Sequence, residues 1–129
     1  MIFVDTNYFV RFLLHDNNSQ YEDAKKLFLE AATGKVQLIS STVAFFEVAW
    51  VLRSVYGKDK KALVTILHQL LKLNVEFNER LLFISSLNLF SKSNLSLEDC
   101  YNLVFARKSN AKTFKTFDQK LAKYSSKPS

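Results

Sequence analysis

The segment LISSTVAFFEVAWVL (residues 38–52) passes from a short apolar strand into an apolar helix, and its one charge is Glu47. Ser41 or Thr42 is suited to open the helix and Gly57 to close it. A carboxylate in apolar surroundings loses hydration or takes a proton, so it is usually paired, hydrogen-bonded or bound to a metal ion. No Lys or Arg lies three or four residues from Glu47. We therefore expect its partner to come from elsewhere in the chain or from outside it.

Strand and helix patterns alternate on both sides of this segment. Short runs between the helical patterns predict strands at 2–4, 35–40, 74–77 and 111–117. Apolar residues at helical spacing predict helices at 5–16, 19–34, 40–57, 59–73, 78–94, 96–110 and 118–124. Strands that alternate with helices indicate an α/β layer fold with a mostly parallel sheet.

Composition supports a compact intracellular protein. The chain has 129 residues, of which 48% are hydrophobic, so it is long enough for one domain with a sizeable core. Only two Gly and one Pro are present, which disfavours an all-β fold with many tight turns. The single cysteine, Cys100, excludes an internal disulfide, favours a reducing cytoplasmic location and is expected to be a small buried apolar residue. Because we find neither a signal peptide nor an apolar run of membrane-spanning length, we expect no membrane association.

Positive charge is concentrated at the carboxyl end. The formal net charge is +6, and residues 1–106 hold equal numbers of basic and acidic side chains. Residues 107–129 hold seven Lys and Arg against Asp118 alone. Such an end either attracts phosphate backbones or forms a solvated helix that keeps the protein soluble.

Four carboxylates, those of Asp5, Glu47, Asp99 and Asp118, stand at positions that suggest more than surface solvation. Asp5 follows the first predicted strand, Asp99 lies in the first turn of a helix, and Asp118 precedes the last helix. Each Asp has a structural alternative, since each could cap its helix. The carboxyl ends of parallel strands share one edge of a sheet, so we expect the three Asp residues along that edge.

Clustered carboxylates repel each other unless a cation neutralises them. An oxygen-only donor set suits Mg²⁺ or Mn²⁺. Zinc is disfavoured because its preferred ligand types are represented only by His15, His68 and Cys100, which lack metal-binding spacing.

Four stretches of the chain resemble the signature blocks of PIN-domain nucleases, most closely the VapC toxins of type II toxin–antitoxin systems. They are IFVDTNYFVRFLL, LISSTVAFFEVAWVL, LSLEDCYNLVFARKSN and FKTFDQKLAK. The resemblance implies a single PIN-like domain over 1–124 and a frayed tail at 125–129. It also implies a three-layer sandwich whose short, mostly parallel sheet of four to five strands is flanked by helices.

The same resemblance implies a metal site. Its catalytic and metal-binding residues would be Asp5, Glu47, Asp99 and Asp118, with Mg²⁺ or Mn²⁺ as cofactor. Thr6, Asn7 and Thr116 would support the site. Glu98 is an additional acid beside Asp99, and we assign the metal-binding role to Asp99.

The implied activity is metal-dependent endoribonuclease cleavage of RNA, with tRNA among the candidate substrates, under control of a cognate antitoxin. Arg11, Lys112, Lys115 and Lys120 are candidates to bind the RNA backbone.

We expect a homodimer. Most of the aromatic residues on the early helices should fill the core, and a subset could form an antitoxin groove or dimer interface: Phe9, Phe12, Phe45, Phe46 and Trp50. The alternative is a non-catalytic PIN-like module that binds RNA or protein.

Overall fold

The computed structural model describes residues 1–127, and the chain divides into two compact units, Met1–Arg80 and Leu81–Ser129. In the first unit the order is β1 (Ile2–Phe3), α1 (Thr6–Leu14), α2 (Asn18–Ala32), β2 (Leu38–Ser40), α3 (Thr42–Ser54), α4 (Lys60–Leu71) and β3 (Val75–Phe77). Helix α5 (Arg80–Lys92) begins at the last residue of that unit and is followed by α6 (Leu97–Lys108) and α7 (Gln119–Ser125). The α/β class predicted from the sequence is confirmed.

The sheet is parallel, with strand order β1-β2-β3. Ile2 pairs with Leu38, and Leu38 pairs in turn with Val75. Two helices connect each pair of neighbouring strands, as parallel strands require a long crossover. All three strands therefore end at the same edge of the sheet, and β1 ends two residues before Asp5.

The predicted strand at 111–117, and with it the four- to five-stranded sheet, is wrong for the described residues, which form three strands. The segment AKTFKTF was predicted to be a strand, with two Phe residues among Lys and Thr. In the structure Phe117 is fully exposed and Phe114 is only half-buried, so the segment has no buried face. The two Phe residues are three positions apart, whereas side chains on one face of a strand recur every second position.

Helix boundaries follow capping residues. The side chains of Ser41, Asp59 and Ser96 each accept a hydrogen bond from the backbone N–H three residues on, at positions where the sequence predicted helices to begin. Gly34, with a φ of +81°, ends α2 in the left-handed conformation that glycine adopts without a steric penalty.

The core of the first unit is aromatic. The fully buried Phe9 stacks on Phe28 at 5.7 Å and on Phe77 at 6.1 Å between ring centroids. These contacts join α1, α2 and β3. Phe45 is also fully buried, whereas Phe12 and Phe46 are half-buried.

In the second unit, α5 and α6 supply the buried side chains. Phe83 contacts Tyr101 at 6.2 Å between ring centroids, and Leu87 and Leu103 are buried. Cys100 is buried too, as expected of a small apolar residue. None of the helices within residues 1–127 has the length and apolar character needed to cross a bilayer.

The predicted tail at 125–129 begins at the last residue of α7, and its final residues lie outside the described part of the chain.

Candidate active site

The end of β1 is fixed immediately before Asp5. The backbone N–H of Val4 donates to the carbonyl of Ile39 at 2.9 Å. The buried Ser40 hydroxyl donates to the Val4 carbonyl at 2.7 Å. Sequence reasoning did not single out Ser40; the signal was a hydroxyl at the end of a buried strand, where it can satisfy the backbone of a neighbouring strand. Ser40 thus holds the backbone from which the Asp5 side chain projects.

Asp5 occupies the N-cap position of α1, but its side chain makes no capping hydrogen bond. The residue is exposed. Capping therefore does not occupy this carboxylate, unlike the other N-cap side chains of the first unit, which do accept a hydrogen bond. Both oxygens of Asp5 are available to a ligand.

Glu47 is linked to the start of α1 through Thr6, the residue that follows Asp5. The buried Thr6 hydroxyl donates to the Glu47 carboxylate at 3.4 Å, which joins the start of α1 to the middle of α3. Thr6 was among the predicted supporting residues, and this contact is the kind of support that role requires.

The expectation that Glu47 lies in apolar surroundings is wrong, because the residue is exposed. Val43 and Trp50, four residues before it and three after it, are 67% and 53% exposed. Residues at this spacing share one face of a helix, and here that face is apolar and open to solvent. The apolar run predicted burial all round, whereas only the opposite face of α3 is buried.

Asp99 is held at the start of α6. Its backbone N–H donates to the Ser96 hydroxyl at 3.1 Å, and the residue is half-buried. Within residues 1–127 no hydrogen bond engages its carboxylate, so the reciprocal half of a capping box is not formed. Glu98 is also half-buried.

Asp118 caps α7, which is the structural alternative raised from the sequence. Its carboxylate accepts from the backbone N–H of Leu121 at 2.9 Å. Its own backbone N–H donates to the Thr116 hydroxyl at 3.1 Å, so Thr116 fixes the turn before the helix. The cap uses one carboxylate oxygen, and the exposed side chain leaves the other accessible.

Arg11 is engaged within the first unit. Its guanidinium donates to Gln20 at 2.6 Å, to Asp16 at 3.1 Å and to the Tyr56 hydroxyl at 2.9 Å. Tyr56 donates in turn to Asp16 at 2.7 Å. The hydrogen bond from Tyr56, aided by that from Arg11, lowers the pKa of Asp16, and the bonds to Tyr56 and Asp16 raise the pKa of Arg11. This network joins α1 and α2 to the turn that follows α3.

Asn7 lines a surface cavity of about 290 Å³ with Tyr8, Arg11, Gln20 and Asp23. Its first lining residue, Asn7, follows Asp5 by two positions. The polar side chains that line the cavity are open to solvent. The candidate RNA-binding lysines lie in the second unit. Lys112, Lys115 and Lys120 are exposed, and Lys120 donates to the carbonyl of Asn94 at 2.8 Å.

The predicted donors are carboxylate oxygens, the ligand type that Mg²⁺ and Mn²⁺ prefer. Asp5 and Glu47 belong to the first unit, and Asp99 and Asp118 belong to the second. The residues that the structure describes contain no group of three or more His, Cys, Asp or Glu placed to hold a metal ion. The assignment of these four acids to one metal site stays a prediction.

Comparison with known families gives one match. The family model of the PIN domain matches residues 2–127, nearly the whole chain and both units. No curated protein and no solved structure gives a significant match. PIN domains are generally nucleases that use divalent metal ions. With its α/β fold and a family match of this length, the chain belongs to the PIN domain family.

Proposed function

We propose that this chain is a metal-dependent endoribonuclease of the VapC type, which hydrolyses RNA phosphodiester bonds in the cytoplasm. The observation that carries the proposal is that the Asp5 carboxylate is not used to cap its helix. Its carboxylate follows the end of a parallel strand, stands at a helix N-terminus and is engaged by no capping bond. The edge at which parallel strands end is where α/β folds bind ligands.

In this proposal Asp5 and Asp99 hold Mg²⁺ or Mn²⁺ directly, and Glu47 and Asp118 complete the set directly or through water. The cation, when bound, would lower the pKa of a coordinated water and neutralise charge on the phosphate. The chain's own contribution is to orient the carboxylates. The Thr6 hydroxyl holds Glu47, and the Thr116 hydroxyl holds the backbone of Asp118.

RNA is the proposed substrate because the carboxyl-terminal segment attracts polyanions. Residues 107–127 hold seven basic side chains against one acidic one. Contacts of Lys and Arg with phosphates release counterions and supply much of the affinity of nucleic-acid binding.

A cognate antitoxin and a homodimer partner are part of the same proposal. The support is the exposed apolar face of α3 formed by Val43 and Trp50 on either side of Glu47. A protein that buries this face would also cover the Glu47 carboxylate, which would inhibit the enzyme. We expect induced expression of the wild-type chain alone to arrest bacterial growth, and expression of Asp5→Asn to leave growth unaffected.

The nuclease proposal is tested by incubating the purified protein with a panel of tRNAs and other structured RNAs in Mg²⁺, in Mn²⁺ and in EDTA. We expect cleavage that requires metal and is lost in Asp5→Asn. The alternative function, a non-catalytic RNA- or protein-binding module, uses the same basic segment and apolar face. It predicts RNA binding by the wild type, without cleavage in either metal.

A further inference from the structure

The segment between α6 and α7 exposes an aromatic ring completely. Phe117 has a relative exposure of 108%, more than any other large apolar side chain among the described residues. It makes no ring contact within residues 1–127. An exposed phenyl ring forgoes about 1.5–3 kcal/mol of burial free energy, so its exposure gives the folded chain no benefit in isolation.

The residues around Phe117 are basic. Lys115 precedes it by two positions and Lys120 follows it by three, and both are exposed. Backbone geometry limits their Cα atoms to about 7 Å and about 11 Å from that of Phe117. Lys112 and Lys115 form no ion pair with any side chain within residues 1–127. A fully exposed ring therefore sits among exposed lysines, two of which, Lys112 and Lys115, form no ion pair in the described part of the chain.

This combination fits one class of ligand. Surfaces that bind single-stranded nucleic acids combine basic side chains, which follow the backbone, with aromatic rings on which bases stack. A paired base hides both of its faces in the helix, so the ring requires an unpaired base. Phe117 also directly precedes Asp118, which the proposed function places at the metal.

We propose that residues 112–120 form a binding surface for single-stranded RNA, in which Phe117 stacks on an unpaired base and Lys112 and Lys115 contact the flanking phosphates. This inference rests on the proposed ribonuclease function, because the stacked nucleotide would present its phosphate next to Asp118. Stacking tolerates every base. The surface therefore selects an unpaired site in the RNA rather than a sequence.

Phe117 is tested by the binding of a short fluorescent single-stranded RNA, measured by anisotropy in EDTA so that no cleavage occurs. We expect Phe117→Ala to weaken binding about 5-fold or more, and Phe117→Trp to restore it. The same substitutions should leave binding of the fully paired duplex unchanged. Leu29→Ala is the matched control, because it truncates a side chain that is 55% exposed in the other unit.

The lysines are tested by the salt dependence of the same binding. Each phosphate contact to a single strand contributes about 0.7 to the slope of log affinity against log salt concentration. We expect Lys112→Ala with Lys115→Ala to reduce that slope by about 1.4. The pair Lys25→Ala and Lys26→Ala, which removes the same charge from exposed positions on α2, should leave the slope unchanged.

The inference is overturned if Phe117→Ala binds single-stranded RNA as tightly as the wild type. It is overturned in the same way if the variant keeps RNA binding but loses the binding of a protein inhibitor. Failure of the proposed function gives a different result. The wild type would then cleave no RNA in metal, while its binding would still depend on Phe117.

Discussion

Individual side chains in this protein combine structural and proposed chemical roles, and Asp118 is the plainest case. Its carboxylate caps α7 through the backbone N–H of Leu121, and the resemblance to PIN nucleases implies that the same group would bind a metal ion. A substitution that keeps the cap but removes the charge separates the two roles. Asn caps helices about as well as Asp and is neutral.

We expect Asp118→Asn to keep the wild-type free energy of unfolding and to reduce RNA cleavage about 10-fold or more. Asp118→Ala should reduce cleavage as well and lose about 1 kcal/mol of stability with the cap. Asp59→Ala is the matched control, because it removes the equivalent cap of α4 and should lower stability without changing cleavage. Urea unfolding and single-turnover cleavage measure the two properties, and full activity in Asp118→Asn would exclude the metal-binding role.

The sequence predicted polar residues whose role depends on neighbours within one helical turn. It did not predict the features that depend on tertiary contacts. The cap of Ser41 was predicted as one of two candidates, because capping acts within one helical turn. The exposure of Glu47 was not, since an apolar run does not reveal which helix face lies against the core. The Ser40 hydrogen bond to Val4 was also missed, because Val4 follows β1 whereas Ser40 ends β2, far away in sequence.

Helix and strand positions in the first unit depend on two sets of contacts, one polar and one aromatic. The polar set is the network of Arg11, Asp16 and Tyr56, which joins α1 to the turn that follows α3. Since α1 carries Asp5 at its start and α3 carries Glu47, this network contributes to the relative position of the two carboxylates.

The network makes stability depend on pH in the acid range. Because the folded pKa of Asp16 is lowered, its ionised form stabilises the fold above the unfolded pKa of about 3.8, and this contribution is lost as pH falls through the lower folded pKa. We expect Tyr56→Phe to lower stability near neutral pH by less than about 1 kcal/mol, since Asp16 is exposed. The difference from the wild type should narrow at acid pH, where the hydrogen bond from Arg11 to Tyr56 remains.

Urea midpoints over a pH series check this prediction. Tyr124→Phe is the control, because its hydroxyl makes no hydrogen bond within residues 1–127. A difference between Tyr56→Phe and the wild type that stays constant down to the most acid pH would show that Asp16 is not the titrating partner.

The aromatic set is centred on Phe9, which is fully buried between Phe28 and Phe77. We expect Phe9→Ala to lower the free energy of unfolding by about 3–5 kcal/mol, because it leaves a cavity at the junction of two helices and the sheet. Phe117→Ala removes the same side chain from a fully exposed position and should change stability by less than about 0.5 kcal/mol. Equal losses in the two variants, measured by urea unfolding, would contradict the assignment of Phe9 to the core.

The elements themselves were largely predictable, with one instructive exception. Helices with clear periodicity and caps, such as α4 and α6, lie where the sequence placed them. The strand predicted at 111–117 is absent from the structure. Its two Phe residues are three positions apart, which is not the period of a strand, and Phe117 faces solvent instead of a core.

Across the whole chain, the charge distribution and the family match are two separate observations that favour nuclease activity. Residues 1–106 are electrically balanced, and the positive excess lies in the carboxyl-terminal segment. The PIN domain match extends over residues 2–127 and so includes all four predicted acidic positions. The assignment of these acids to one ion stays a prediction, because local patterns do not determine contacts between side chains far apart in sequence.

The most direct test of the central claim is the binding of Mn²⁺, measured by electron paramagnetic resonance on the purified wild type and on Asp5→Asn, Glu47→Gln, Asp99→Asn and Asp118→Asn. We predict that the wild type binds Mn²⁺ and that each of these substitutions weakens Mn²⁺ binding about 10-fold or more. The control Asp59→Asn neutralises a helix-capping carboxylate and should leave Mn²⁺ binding unchanged. Wild-type affinity in all four variants, or no Mn²⁺ binding by the wild type, would contradict the assignment of these carboxylates to a metal site.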